Sequence, residues 1–209
     1  MLVPLPTLLL FAAAALALAI TPGPDMLMCL SRSIAQGRQT AFAALFGIQA
    51  GCYVWALAAA YGLAGLLALS PVVYDAVRFA GAGYLAYLAW TTFRAKEALG
   101  VRDGLPSVAW GRAFRQGLTT NLLNPKVALF FLALFPQFVD PAKSMVAQSL
   151  VLVSVLCIIG FSINGGVILA ASGFARFLGQ RPGIARAQRW FLSTVFGGLA
   201  LRLALDDRR

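Results

Sequence analysis

Two short polar motifs interrupt otherwise apolar stretches of the sequence, and each places a proline beside a charged residue. They are Thr21-Pro22-Gly23-Pro24-Asp25 and Asn124-Pro125-Lys126. Proline lacks an N–H and its ring clashes with the preceding turn, so we predict that a helix stops and restarts at each motif. Asn124 is the expected N-cap of the second restarted helix, with Pro125 in its first turn.

The charges at the two motifs need partners, because an ionised side chain in apolar surroundings is costly. Lys126 lies where the positive end of a helix dipole repels a cation, so an anion is expected nearby. One interpretation is that Asp25 and Lys126 neutralise each other and brace the fold. The other is that Asp25 binds an ammonium group, while Lys126 and the two helix N-termini bind a carboxylate. The second interpretation predicts a zwitterionic ligand such as an amino acid.

The composition indicates a membrane protein rather than a soluble domain. Of the 209 residues, 60% are hydrophobic and 11% are charged, whereas soluble domains have about 45–50% and about 25%. The net charge of +10 comes from basic residues between apolar segments. They form no patch with interleaved aromatic residues, so they indicate membrane topology and not nucleic-acid binding. We predict one all-α transmembrane domain over residues 1–209.

Apolar length predicts six membrane-spanning helices, at about 5–34, 40–69, 71–93, 116–138, 144–172 and 187–205. Basic residues concentrate in the connections on one side of these spans. The positive-inside rule places that side in the cytoplasm and both termini in the periplasm. No basic residue precedes the first apolar run, unlike in a cleaved signal peptide, so we expect this run to be retained.

The six spans divide into two halves of three, at about 1–93 and 116–205, joined by a cytoplasmic linker at about 94–115. An odd number of crossings gives the halves opposite orientations, so we predict an inverted repeat. Pro24-Asp25 then corresponds to Pro125-Lys126, and Gln49 corresponds to Asn164. Proline-interrupted helices at matching positions of two halves are typical of a transport site near the bilayer midplane. Gly47 and Gly51 form a GxxxG pair, which predicts a closely packed helix face.

Four stretches of the chain match, in their residues and in their order, the motifs of one known protein family. They are Thr21–Asp25, Gln116–Lys126, Phe130–Phe138 and Gly198–Ala204. Together they resemble the LysE/RhtB family of amino-acid exporters over the whole chain. The resemblance implies a six-span permease of the bacterial inner membrane that exports amino acids or related metabolites by proton antiport. The cargoes in that family range from basic amino acids and homoserine to cadmium in a relative, and the motifs do not distinguish them.

The predicted site lies where the two broken helices meet. The residues predicted to bind the substrate are Asp25, Lys126, Asn124, Gln49 and Asn164. Those predicted to form the helix breaks are Thr21, Pro22, Gly23, Pro24 and Pro125. Protons and the lipid bilayer are the other expected partners, and the sequence indicates no cofactor. A homodimer formed through the glycine faces is left open.

Other functions have weaker support in the sequence. The chain has no histidine and no CxxC motif, and its three cysteines are Cys29, Cys52 and Cys157. We interpret these as small packed side chains, with a soft-metal exporter that uses all three thiols as the alternative. An enzyme embedded in the membrane is disfavoured, because the sequence has no Ser/His/Asp set, metal cluster or phosphate-binding loop. A scaffold that transports nothing is the remaining alternative.

Overall fold

The fold is known from a computed structural model, which describes residues 2–68, 108–173 and 182–205 and separate positions between 79 and 94. These residues form helices and short connections and contain no strand, which agrees with the predicted all-α class. Most of the predicted third span at 71–93 and most of the predicted linker lie outside the described residues.

The helices follow one another along the chain as α1 to α7. Their bounds are α1 Leu5–Ile20, α2 Pro24–Gln36, α3 Arg38–Ala68, α4 Trp110–Leu122, α5 Pro125–Leu129, α6 Met145–Leu169 and α7 Pro182–Leu205. After α5 the chain continues as a π-helical turn at Phe130–Leu134 and a 3₁₀ turn at Phe135–Phe138. The described residues of Met1–Tyr61 and Leu99–Arg181 form one compact unit, and those of Gly62–Ala98 and Pro182–Arg209 form a second.

Several helices are long and apolar enough to cross a membrane. Arg38–Gly62 and α6 meet this condition as single helices. The α1 and α2 helices meet it as a pair bent by 51°, and α4 meets it together with Pro125–Phe138, as a pair bent by 50°. By length and composition, the described residues therefore contain two candidate membrane spans, or four if each bent pair forms one broken span.

Both helix breaks occur at the motifs that predicted them. The α1 helix ends at Ile20, the chain is extended at Gly23, and α2 begins at Pro24. At the second break, Asn124 is the N-cap of α5 and its Oδ1 accepts the Lys126 backbone N–H at 3.0 Å. The predicted cap and proline positions are thus confirmed.

Two predicted boundaries were wrong. The fourth span was expected to begin at 116, but α4 begins at Trp110, inside the predicted linker. Its first turns carry Arg112 and Arg115, both exposed, and charged residues hide a helix from a count of apolar length. The last span was expected to begin at 187, but α7 begins at Pro182. The early start was missed for the same reason, because Arg186 and Arg189 lie in the first turns of this helix.

Aromatic side chains form the centre of the first unit. The Phe11 ring of α1 has edge-to-face contacts with three rings that follow the second break, at centroid distances of 5.7 Å to Phe130, 5.8 Å to Phe135 and 5.2 Å to Phe138. Both α1 and α2 pack against α6, and α2 also packs against α4. These contacts bring the two broken helices side by side and hold the breaks close together.

The second unit has an aromatic contact of its own. The Phe93 and Trp190 rings meet edge to face at a centroid distance of 5.2 Å. The Arg94 guanidinium lies 4.1 Å from the centroid of the Trp90 ring, within the range of a cation–π interaction.

The α3 and α4 helices touch backbone to backbone at two glycines. A Cβ atom added at Gly47 would lie 1.9 Å from the Phe114 carbonyl oxygen, and one added at Gly117 would lie 2.0 Å from that of Ala44. The packed face predicted from the GxxxG pair is therefore confirmed. Since this face is occupied within the chain, a homodimer would need a different one.

We expect Gly117→Ala to destabilise the protein, because its new methyl group would overlap the α3 backbone and force the helices apart. Overpacking of this kind costs about 1–3 kcal/mol, which corresponds to a fall of roughly 5 °C in the thermal unfolding midpoint. Gly111→Ala is the matched control, because it lies on the same helix with open space where its Cβ would be. Thermal unfolding in detergent measures both. Equal midpoints in the two variants would contradict the close contact.

Candidate functional site

A cavity of about 50 Å³ lies in the first unit, where the two helix breaks meet. This volume corresponds to roughly three to five water molecules, enough for the charged head of an amino acid. The cavity is lined by Leu18, Ala19, Asp25, Met26, Ile48, Gln49, Cys52, Asn121, Lys126, Val127, Leu156, Gly160 and Asn164. Four of the five residues predicted to bind substrate are among them. The fifth, Asn124, is buried beside the cavity without lining it.

Lys126 is buried and its ammonium group binds the end of α1. Nζ donates to the carbonyl oxygens of Leu18, at 2.9 Å, and Thr21, at 2.6 Å. These carbonyls lie at the helix C-terminus, the negative end of its dipole. A lysine at the start of one broken helix is therefore stabilised by the end of the other. Two of its three N–H bonds are used in this way, and the third has no acceptor among the described residues.

Asp25 is also buried, and its two carboxylate oxygens have different surroundings. Oδ2 accepts a hydrogen bond from Asn121 Nδ2 at 2.8 Å, whereas Oδ1 has no partner within hydrogen-bond distance, and the Asn124 amide lies close to the same carboxylate. Asp25 and Lys126 line the same cavity but are not within salt-bridge distance of each other. A direct salt bridge is thus absent between these two described side chains, although their opposite charges attract each other across the cavity, and each retains capacity for another partner.

Asn121 is a site residue that the sequence analysis missed. Its side chain is fully buried and contacts both Asp25 on α2 and Cys52 on α3, where Nδ2 is 3.6 Å from the sulfur. The contact with Gly51 is equally close, since a Cβ added there would lie 2.5 Å from Asn121 Oδ1. Its spacing was the available signal, because Asn121 precedes the capping residue Asn124 by one helical turn in an apolar segment.

A second polar contact joins α2 and α4 two turns further along α2. Arg32 is buried, and it donates through Nη2 to Gln116 Oε1 and through Nη1 to Gln36 Oε1, the latter at 2.7 Å. Ser33 and Arg38 donate to carbonyl oxygens at the end of α6, at 2.7 and 3.0 Å. These bonds join the C-terminal end of α2 to α4 and, together with the start of α3, to the C-terminal end of α6, away from the cavity.

Gln49 and Asn164, predicted to correspond in the two halves, both line the cavity. Gln49 Nε2 donates to the Cys157 carbonyl oxygen at 2.6 Å and so joins α3 to α6. Asn164 Nδ2 donates to the Gly160 carbonyl oxygen of its own helix at 3.0 Å, while its buried Oδ1 has no partner. Asn164 thus leaves a free acceptor, as Asp25 does.

Asn124 is expected to contribute to stability through its cap and to the cavity through its amide, because Oδ1 is used by the cap while the buried Nδ2 has no partner. Asn124→Ala removes the hydrogen bond to the Lys126 backbone N–H, at a cost of about 1 kcal/mol. Ser144→Ala removes the cap of α6, where Ser144 Oγ accepts the Ala147 N–H at 3.3 Å outside the cavity, and is the matched control. We expect similar losses of thermal stability in both, with weaker substrate binding in Asn124→Ala alone. Unchanged substrate binding in Asn124→Ala would show that the cap stabilises the helix without affecting the cavity.

The arrangement suits a small molecule that bears both signs of charge. The cavity contains two unpaired buried oxygens, Asp25 Oδ1 and Asn164 Oδ1, which accept hydrogen bonds, and one ammonium group, which donates them. A soft metal ion is less well served, because Cys52 lies beside Cys157 but is the one cysteine that lines the cavity; Cys157 and Cys29 do not line it. The described residues contain no group of three or more side chains placed to hold a metal ion.

Comparison with known proteins finds relatives that are efflux proteins. The chain is 32% identical to the leucine efflux protein of Klebsiella pneumoniae, over 94% of this chain and 93% of that protein. It is 28% identical to the leucine efflux protein of Salmonella typhimurium, over 93% and 92%. It is 29% identical to the homoserine/homoserine lactone efflux protein of Salmonella typhi, over 87% and 86%.

No solved structure matches the chain. The model of one family, described as LysE type translocator, matches residues 16–207. That match includes both helix breaks and every residue predicted to bind substrate, and it bears out the resemblance carried by the two proline motifs. The chain therefore belongs to the LysE type translocator family.

Proposed function

We propose that this protein is a secondary exporter of amino acids or close derivatives across the bacterial inner membrane, and that it exchanges them for protons. The relatives named for efflux of leucine and of homoserine support an amino-acid cargo. The lack of a candidate metal-binding group among the described residues gives no support to the soft-metal alternative. The single observation that carries the proposal is the cavity between the two helix breaks, with its unpaired carboxylate oxygen and its ammonium group.

In this proposal the cavity binds the amino-acid head group. The substrate ammonium donates to Asp25 Oδ1 and Asn164 Oδ1, the two acceptors left without partners. The substrate carboxylate accepts from the remaining N–H of Lys126. Gln49 and Asn121 keep α3 and α4 in place around the head group. Apolar residues of the lining, such as Leu18 and Leu156, contact the substrate side chain.

The proposed architecture is a single transmembrane domain of six spans arranged as two inverted repeats. The two broken spans support it, because they have nearly equal bends of 51° and 50° and contribute Asp25 and Lys126 to one cavity. The two halves would alternate access by rocking about this point. We further propose that both termini are periplasmic, because the positive-inside rule places the more basic connections in the cytoplasm.

Exchange in proteoliposomes tests the proposal. Purified protein is reconstituted in liposomes loaded with unlabelled leucine or homoserine, and entry of the same radiolabelled amino acid is measured with and without an imposed pH gradient. We expect labelled amino acid to exchange, and to accumulate when the lumen is acidic and protons leave. Protein-free liposomes are the control. If no amino acid exchanges while the protein remains folded, the exporter proposal is wrong. A parallel measurement of cadmium uptake tests the soft-metal alternative.

A further inference from the structure

We infer that Asn121 couples proton binding to substrate binding, by making the proton and the substrate ammonium compete for the same oxygen of Asp25. This inference rests on the proposed exporter function and assigns a positioning role within it. It is based on a difference between the two carboxylate oxygens of Asp25. Oδ2 accepts a hydrogen bond from Asn121, whereas Oδ1 has no hydrogen-bond partner.

The chemistry of an amide determines where Asp25 takes up a proton. Asn121 Nδ2 has hydrogens to donate and no lone pair to accept one. A proton on Oδ2 would weaken the bond that Asn121 makes to it, whereas a proton on Oδ1 leaves that bond intact. Oδ1 is therefore the favoured oxygen for the proton. It is also the oxygen left free to accept the substrate ammonium.

Asn121 has little freedom to turn away from this arrangement. Its side chain is fully buried, with Gly51 packed against Oδ1 and Cβ, and the Cys52 sulfur lies 3.6 Å from Nδ2 and 3.9 Å from Oδ1. Its backbone carbonyl accepts the Asn124 N–H at 3.0 Å, which ties it to the helix break. The donor that engages Oδ2 is thus held in place by α3 and by the helix break.

Competition for one oxygen is the condition for exchange. A proton that binds Oδ1 from one compartment removes the negative charge and occupies the acceptor, so the ammonium group leaves with its own three protons retained. On the other side the proton is lost to water and the substrate binds. One proton therefore crosses for each amino acid that crosses in the opposite direction. Exclusion is mutual, as linkage between two ligands requires.

Other titratable groups near Asp25 do not offer the same competition. They are Lys126 from α5, Cys52 from α3 and Cys29 on α2 itself. The lysine presents N–H donors to the cavity, and Cys52 is near the Asn121 amide. Cys29 is buried away from the cavity lining. Among the described residues of the cavity, Asp25 supplies the carboxylate that both proton and ammonium can occupy.

The test compares two measurements on the full chain in proteoliposomes, with radiolabelled leucine as the probe. One is exchange at equal pH on both sides, and the other is accumulation driven by an acidic lumen. In Asn121→Ala, Oδ2 can take up the proton, which removes the charge but leaves Oδ1 as a neutral acceptor for the leucine ammonium, so proton and leucine no longer exclude each other fully. We expect the ratio of accumulation to exchange to fall about tenfold, which corresponds to the loss of one hydrogen bond to a charged group.

Asn121→Asp is the second variant, because it keeps the shape of the side chain. Its carboxyl group can share a proton with Asp25 Oδ2, so the ratio is expected to fall as in Asn121→Ala. Asn164→Ala is the matched control, since it removes an acceptor for the ammonium but leaves Oδ2 engaged. It should lower exchange and accumulation together and keep their ratio.

Three results would contradict the proposed role of Asn121. A ratio equal to that of the parent, in either Asn121 variant that still exchanges leucine, overturns the inference. Complete loss of exchange in both variants, with intact protein by size-exclusion chromatography, also overturns it, because Asn121 would then be required for binding rather than for coupling. Failure of the parent itself to exchange any amino acid removes the proposed function and this inference with it.

Discussion

Asp25→Asn is expected to lower leucine exchange by about 100-fold, because the substrate ammonium loses its counter-charge in a buried cavity. The variant has nearly the same shape as the parent, so packing is preserved. Its amide oxygen would stay toward Asn121 Nδ2, which needs an acceptor at that position. The new NH₂ group would then face the cavity in place of Oδ1, and a donor would meet the ammonium group of the substrate.

The measurement is the initial rate of radiolabelled leucine entry into loaded proteoliposomes at equal pH on both sides. Asp140→Asn makes the same chemical change at a partly exposed aspartate, which lies 3.5 Å from Lys143 and outside the cavity. We expect its rate to stay within about twofold of the parent, because exposed ion pairs contribute little. Equal rates in Asp25→Asn and the parent would show that the carboxylate does not bind the substrate.

The helix breaks could be predicted from the sequence because their cause is local. A proline that cannot donate an N–H ends a helix whatever surrounds it, and Asn124 caps the next helix through its own side chain. Asp25, Lys126, Gln49 and Asn164 were expected to meet on the hypothesis of a repeat in two halves, and the four side chains line one cavity. These predictions needed only the order of residues along the chain.

The partners of the charged residues could not be predicted in the same way. Lys126 binds backbone carbonyls at the end of α1, and every residue has a carbonyl, so no side-chain pattern marks those two. Asn121 lies in a run that also contains Thr119, Thr120 and Asn124. Its spacing of one turn from Asn124 hints at a role, but packing against Gly51 is what distinguishes it from the others. The start of α4 at Trp110 was missed because exposed arginines occupy its first turns.

Lys126→Met is expected to lower leucine exchange by about 100-fold and to destabilise the protein as well. The methionine retains an unbranched apolar chain of similar length but has no N–H to donate. The carbonyl oxygens of Leu18 and Thr21 would then lose their charged donor, and each hydrogen bond to a charged group contributes about 1.5–3 kcal/mol. Lys143→Met, at a partly exposed lysine that pairs with Asp140, is the control and should change neither property.

A milder perturbation of the same contact is available at Gly23. A Cβ atom there would lie 3.1 Å from both Cε and Nζ of Lys126, so Gly23→Ala would push the ammonium group without removing it. The backbone at Gly23 is extended, at φ −154°, a conformation that any residue adopts, so the effect would come from the displaced lysine. We expect a loss of exchange smaller than that in Lys126→Met.

Leucine amide, which lacks the carboxylate, distinguishes the two roles of Lys126. If the ammonium group binds the substrate carboxylate, the parent should discriminate against leucine amide as a competitor of leucine exchange, and Lys126→Met should lose that discrimination. If the lysine only caps α1, the variant should lose thermal stability and keep the discrimination of the parent. The geometry favours the first outcome together with a loss of stability, because two N–H bonds of Lys126 engage α1 and the third is left for the cavity.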